Sequence, residues 1–451
     1  MSAIDNETTD TTDAMGTTDD RTPEIGSPAS GSGGPTAGGS ESEGPNAVIE
    51  SVEGFRERAR RWLKDTLAPT TKAYTGADDD AIWERAREIQ GLLYDGGFAG
   101  ICFPKAYGGQ GLTPAHQRAF TEESLGYEMP LVLNVPTLAI CAATILDLGT
   151  EEQKLAHLPA VLRGREILSQ FLSEPRGGSD LAGLTTRADR DGEEWLLNGS
   201  KIWSSGAYGS DYGLCLARTN WDVPKHNGLT LFLVPCHAPG VTIQRIKQVT
   251  GSTEFCQEFF DDVRLPADAV LGTVDGGWAA TQRLLNHERA AVGGTSPYTS
   301  GARPHLGGDV TALVELARAV GGLQDPRVRE DIGAARARSI VRDQLIAHVS
   351  QAIATGEMPP TAGSLVRVFS AENASLQADT AVKIAGAAAA TAGAHDPEHR
   401  IGLDYLFRAA WSLAGGSTEM SRNIISERLL GMPREFAADR DVPFTQVKRG
   451  R

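Results

Sequence analysis

The sequence predicts a multidomain α+β protein in the order helical, β, helical. Two observations carry that prediction. Apolar residues recur at helical spacing in the first and last parts of the chain, whereas the middle breaks into short apolar or alternating runs punctuated by Gly, Asn, Asp and Pro. A length of 451 residues leaves room for two or three packed cores.

Residues 1–48 are dominated by Thr, Asp, Ser, Gly and Pro, as in "TTDTTDAMGTTDD" and "GSPASGSGGPTAGG". Such a composition buries too little apolar area to offset chain entropy, so the segment is expected to be disordered. No strand precedes "GSGG", which is therefore not read as a phosphate-binding loop. Residues 49–166 read as an α-helical domain: "VIESVEGFRERARRWLKDTLAP" ends at a proline, and "DDDAIWERAREIQGLLYDGG" opens on acidic capping residues and closes on Gly96 and Gly97. "FPKAYGGQGL" is a turn-rich loop after them. Residues 167–276 read as a compact β domain, with "EWLLNG", "YGLCLART", "LTLFLVP", "VTIQRI" and "CQEFFDDVRL" as strands. Over residues 277–436 the helical period returns, broken at "TSPYTSGARPHLGG" and "AGAHDPEHR", and residues 437–451 form a tail.

Composition excludes several function classes. Acidic residues number 58 against 43 basic ones, a formal charge of -15 with no Lys/Arg-rich run, which argues against a nucleic-acid partner. The N-terminus lacks a basic region followed by an apolar core, so a cytoplasmic location is expected. The most apolar stretch, "PLVLNVPTLAICAATILDLG", is interrupted by Asn134, Pro136 and Thr137 and is expected to be a buried core helix, not a membrane span. Cys102, Cys141, Cys215, Cys236 and Cys256 are widely spaced, so neither a disulfide framework nor a metal site is expected.

One residue breaks the helical pattern of the third domain. At roughly 100° per residue, Leu284, Leu285, Ala291 and Val292 share an arc with Trp278, and Glu288 of "HERAAVGG" falls near the middle of that arc. Glu288 is either a helix residue paired with a neighbour such as Arg289, or a buried acid. Burial disfavours the charged form and raises the pKa towards neutrality, which suits a base that removes a weakly acidic C–H proton.

The remaining motifs resemble those of the acyl-CoA dehydrogenase family of flavoproteins. "FPKAYGGQGL" resembles the family's N-domain signature and "FLSEPRGGSDLAGLTTRADRDGEEWLLNGSKIWSSG" its middle-domain signature. "FFDDVRLPADAVLG" is similar to the strand leading into the C-terminal helices, and "LAGGSTEMSRNIISERLLGMPRE" to the closing helix. The resemblance runs in order from about residue 50 to residue 436. It implies a helical N-terminal domain, a β-barrel-like middle domain and a C-terminal four-helix bundle. The implied activity is FAD-dependent oxidation of the Cα–Cβ bond of an acyl-CoA to the trans-2-enoyl-CoA, in which a carboxylate takes the α-proton and hydride leaves to flavin N5.

Residue by residue, the resemblance implies FAD contacts at Phe171, Leu172 and Ser173, otherwise an ordinary strand entering a turn, and at Trp203 and Ser205 of "KIWSSG", otherwise core. Ser417 and Glu419 of "GGSTEM" are implied to approach FAD at a helix start, where the alternative is simple capping. Ser179 is implied to touch the CoA portion, its alternative being a turn hydroxyl. Arg176 is either a surface turn residue or a guanidinium that reaches a CoA phosphate.

Departures from the family pattern matter as much. Many members carry the catalytic Glu just before the glycine of the last motif, where this chain has Gly415; a second group carries it where this chain has Glu288. Glu288 is therefore expected to be the base. The family's arginine followed by Phe-Gly and the glutamine of Gln-x-x-Gly-Gly are not recognisable, which leaves the FAD pyrophosphate and adenosine contacts unassigned. The expected assembly is a dimer or tetramer, homomeric or with a paralogous chain, and the expected electron acceptor is an electron-transfer flavoprotein. Alternatives on the same fold are an acyl-CoA oxidase, a flavin monooxygenase or a non-catalytic subunit. The acyl chain is not legible.

Overall fold

The computed structural model describes residues 49–68, 79–292, 294, 296–299, 301, 310–393, 396 and 398–448; the segment expected to be disordered, residues 1–48, lies outside them. In the N-terminal part, α1 (Val52–Thr66) starts where the Ser51 hydroxyl accepts from the Gly54 amide at 3.1 Å, and buries Phe55, Ala59 and Leu63 along one face. With α2 (Asp79–Asp95) and α3 (Pro114–Glu123) it encloses Phe98 and Phe120, whose rings stack at 5.2 Å.

The apolar stretch then forms one helical run: α4 (Leu131–Leu133), a wide π-helical segment (Asn134–Ala142) and α5 (Ala143–Leu148). Pro136 lacks the amide that an α-turn requires, and the widened turn accommodates it. By length and composition this run could cross a membrane, yet 67% of it is buried inside the fold. Thr137 ties it to the next domain, since its hydroxyl donates to the Leu168 carbonyl at 3.0 Å and accepts from the Leu168 amide at 3.2 Å. The last helix of this part, α6 (Glu151–Leu162), is capped by a reciprocal Thr150–Gln153 pair.

The middle part is a curled sheet of β1 (Leu168–Phe171), β2 (Arg187–Asp191), β3 (Glu194–Ser205), β4 (Tyr212–Arg218), β5 (Leu229–Pro235), β6 (Val241–Arg245) and β7 (Phe255–Leu265). Its order is β1-β4-β2-β3-β7-β6, with β5 along the other side of β4. β1 pairs parallel with β4, and Gly213 is required there because a methyl group on it would lie 2.0 Å from Cε2 of the buried Phe171 ring.

Two buried carboxyls brace this sheet in opposite ways. Glu174, just past β1, faces Lys201 of β3 at 3.0 Å and accepts from the Thr185 and Thr186 amides at 2.8 and 2.7 Å. Burial pushes its carboxyl up, but Lys201 and the threonine donors overcome that and hold it down at about 2. Glu258 of β7 accepts from the Ser204 hydroxyl at 2.9 Å, while its second oxygen is buried without a hydrogen-bond partner. Here burial prevails over Ser204, its own backbone amide and Lys201, and lifts the carboxyl to about 7.

The C-terminal part comprises α7 (Gly277–Val292), α8 (Thr311–Ala319), α9 (Pro326–Ala354), α10 (Gly363–Ala385), α11 (Ala388–Thr391), α12 (His399–Phe407) and α13 (Thr418–Ile424). α10 is central to this bundle, touching α7, α8, α9, α12 and α13. Beyond α13 the chain returns to the middle sheet: the Phe444 amide donates to the Val223 carbonyl at 2.9 Å, and the buried Phe444 ring lies 3.5 Å from the Arg218 guanidinium carbon.

Two predictions follow from the braces. The folded chain holds a proton on Glu258 that an unfolded chain releases near the ordinary value of 4.5. Stability is therefore highest below that pH and falls by about 3 kcal/mol as the pH rises through 7. Glu258→Gln raises the urea midpoint much more at about pH 8 than at about pH 4; equal effects at both would contradict the assignment. Lys201→Met strands the Glu174 charge and lowers stability by roughly 3–5 kcal/mol, read by urea unfolding, and adding Glu174→Gln recovers part of the loss.

Candidate functional site

α7 buries Ala280, Thr281, Leu284 and Ala291 along one stripe, and Glu288, four residues after Leu284, continues it. The helix is held in rotation from its far side, where Asp147 of α5 takes the His287 imidazole at 2.8 Å and the Arg283 guanidinium. The Glu288 side chain keeps partial exposure while protein crowds its carboxyl, the situation of a group on the floor of a cleft.

Every element around that carboxyl contributes a group. From β1, the Gln170 amide donates to Oε2 at 3.1 Å. Cys141 faces it from the π-helical segment, Arg289 from α7 itself and Arg367 from α10. Burial pushes the Glu288 carboxyl above the ordinary value, and Gln170, Arg289 and Arg367 pull against that rise. The balance leaves an acid that holds its proton more tightly than an ordinary glutamate and, once ionised, is a stronger base towards carbon.

Gly415 lies at the same place. It takes φ +70°, and Gly416 after it φ +86°. A methyl carbon on Gly415 would lie 3.7 Å from Glu288 Oε1, 3.5 Å from Arg367 Nε and 3.6 Å from Val292 Cγ2, whereas one on Gly416 would meet no atom within 4 Å. The two positions that the sequence offers for a catalytic acid thus converge on one point, approached from helix α7 and from the turn before α13.

A second group of expected residues gathers at the end of β3. The pairing of β3 with β7 slips between Ile202 and Ser204, and in that bulge Trp203 takes φ +68°, a conformation that a bulky side chain seldom adopts. Its ring is turned outward, 55% exposed, edge-on to Phe255 at 6.0 Å. Alongside runs the segment after β1, where the Ile202 amide donates to the Ser173 carbonyl at 2.9 Å and the Leu172 carbonyl accepts from Lys201. Ser173 and Ser205 are half-buried. The Phe171 ring is wholly buried in the sheet core, so only its backbone is available to a ligand.

Ser417 caps α13, accepting from the Met420 amide at 3.2 Å, and the exposed Glu419 carboxyl is held below its usual range by its own backbone amide and the Ser417 and Thr418 hydroxyls. Ser179 borders a cavity of about 260 Å³ together with Lys225, His226, Trp278 and Arg440. Arg176 borders a different one of about 320 Å³, with Glu174, Thr185 and Ser200. The two residues expected near CoA therefore line separate hollows.

Sequence reasoning missed Gln170, Arg367 and the cations beside Ser179. Gln170 stands immediately before "FLSEP", so its place in that motif was a usable signal; nothing in the local sequence marks Arg367, which reaches the site only through the packing of α10.

Residues 50–165 match the acyl-CoA dehydrogenase N-terminal domain, residues 169–263 its middle domain and residues 275–430 its C-terminal domain. The acyl-CoA dehydrogenase IpdE1 of Mycobacterium tuberculosis is 36% identical over 397 residues, covering 86% of this chain and 99% of that protein. Among solved structures, the Tcur3481-Tcur3483 steroid ACAD superposes with a TM-score of 0.71 at 29% identity, over 85% of this chain and 98% of that one. The ChsE4-ChsE5 complex from Mycobacterium tuberculosis does so with a TM-score of 0.67 at 26% identity, over 86% and 100%. The fold, the ordered motifs and these matches agree: the chain belongs to the acyl-CoA dehydrogenase family of flavoprotein oxidoreductases.

Proposed function

We propose that this protein removes the α-proton of an acyl-CoA thioester with Glu288 while the β-hydrogen leaves as hydride. The observation that carries the reading is the convergence of the Glu288 carboxyl on the space in front of Gly415. An enclosed carboxylate with few donors is a stronger base than one in water, and its proximity to a bound α-carbon replaces an encounter in solution.

The residues at the end of β3 fit FAD. An exposed indole held outward at positive φ offers a flat wall to a ring system, and half-buried Ser173 and Ser205 lie on the strand segments beside it. Trp203, Ser205 and the Leu172–Ser173 backbone would hold the isoalloxazine, and the start of α13 with Ser417 and Glu419 would face another part of the cofactor. When bound, FAD supplies the two-electron acceptor for the departing hydride. The chain's own task is to enclose Glu288, aim it with Gln170 and keep α7 in register through Asp147. Ser179 and Arg440 line a polar cavity that suits the CoA portion, with Lys225 there already paired to Asp180 and Asp439 at 3.0 and 2.8 Å.

A bulky, polycyclic acyl group fits best. Gly415 leaves the approach to Glu288 without a side chain, and a structural relative is described as a steroid ACAD. Both superposed assemblies pair two different chains by name, which supports a heteromeric assembly with a paralogous chain. The proposed electron acceptor is an electron-transfer flavoprotein.

Glu288→Gln is expected to leave the flavin bound and to abolish its bleaching by substrate in anaerobic stopped-flow mixing. Retention of the wild-type rate would exclude Glu288 as the base. In the wild type, the bleaching rate rises with pH as Glu288 loses its proton, with a midpoint above the ordinary glutamate value. A panel of butyryl-CoA, palmitoyl-CoA and a steroid side-chain acyl-CoA is expected to bleach fastest with the last; preference for butyryl-CoA would contradict the substrate class.

A further inference from the structure

Arg367 lies on α10, outside every motif that the sequence displays, and it meets both halves of the site. Its Nη2 donates to the Trp411 carbonyl at 2.7 Å, its Nε donates to the Ala414 carbonyl at 3.1 Å, and Nη2 reaches that same Ala414 oxygen. The Ala414 carbonyl leads directly into Gly415, and Trp411 lies four residues before it in the 3-10 turn Arg408–Ser412. The Arg367 Nε and the Glu288 Oε1 both lie within 4 Å of the point where a Gly415 side chain would begin.

We propose that Arg367 is a positioning residue, which ties the 411–415 turn to α10 and sets a fixed positive charge beside the Glu288 carboxyl. The inference rests on the reading of Glu288 as the base. Physically, the two roles are coupled. Gly415 and Gly416, both at positive φ, give the turn little stiffness of its own. Three hydrogen bonds from one planar guanidinium fix it without placing a side chain in the approach to the base. The same guanidinium gives up water to be there: burial pulls its pKa down, and Glu288 pulls it back up. A charge so placed favours the ionised form of Glu288, which the reaction consumes.

The groups facing Glu288 are Gln170 from β1, Cys141 from the π-helical segment, Arg289 from α7 and Arg367 from α10. Of these, Gln170 is neutral and the Cys141 thiol is pushed well above its usual range by burial, so it carries no charge near neutral pH. The two arginines are the fixed charges, and Arg367 alone among the facing groups is bonded to the turn.

The test uses the full-length protein and two variants, with Glu288→Gln as reference. The infrared carboxylic C=O band that Glu288→Gln removes is followed against pH. In Arg367→Gln its midpoint moves upward, because the carboxylate has lost a neighbouring charge; in Arg367→Lys it stays near wild type. Hydrogen exchange of the 411–416 amides accelerates at least tenfold in both variants, since neither Gln nor Lys reproduces the fork. An unchanged midpoint in Arg367→Gln, or wild-type protection of the turn in Arg367→Lys, overturns the proposal. Should Arg367→Gln fail to fold, the exchange readout on Arg367→Lys still decides it. If Glu288→Gln instead keeps the wild-type rate of flavin bleaching, the base reading fails, and the infrared and exchange results on Arg367 stand apart from that failure.

Discussion

Burying a carboxylate is the constraint around which this protein is arranged. An isolated charge in a protein interior is expensive, and full neutralisation by a direct ion pair would remove the basicity that makes it useful. The fold resolves the conflict with weak, graded compensation: one amide donor from β1, one adjacent cation on α7 and one on α10, none of which forms an ion pair within 4 Å of Glu288 among the described residues. Contrast Glu174, where a buried lysine and several donors hold the carboxyl at about 2 and make it a structural anchor. The same side chain is tuned to opposite ends by the number and closeness of its partners.

The site depends on long-range alignment of three parts of the chain. Thr137 stitches the π-helical run to β1, and β1 carries Gln170; Asp147 at the end of that run fixes the rotation of α7, which carries Glu288. Within the middle sheet, Lys201 links the Leu172 carbonyl to Glu174, and Ser204 links the bulge at Trp203 to Glu258. The strained Trp203 conformation persists because the pairs on either side are buried and hydrogen-bonded.

The domain order and the face of α7 that bears Glu288 were legible because they depend on spacing within single segments, and helical periodicity is a local property. Trp203 and Ser417 were singled out by their motifs. What local spacing could not show was the meeting of Glu288 with Gly415, more than a hundred residues later, or the arrival of Arg367 between them, because both depend on how α10 and the turn after α12 pack. Arg176 and Ser179 sit three residues apart in the chain yet border different cavities, since the turn between them reverses direction at Gly177 through its bridge to Glu174. The return of Phe444 to the middle sheet was equally invisible: a lone aromatic in a polar tail has no periodic signal.

Removal of a proton from carbon by Glu288 can be observed apart from any electron transfer. Incubation of the protein with an α-deuterated acyl-CoA in ordinary water, followed by mass spectrometry of the recovered thioester, measures that step alone. Loss of deuterium with the wild type and none with Glu288→Gln is the predicted result. Equal washout by both proteins would place the base elsewhere.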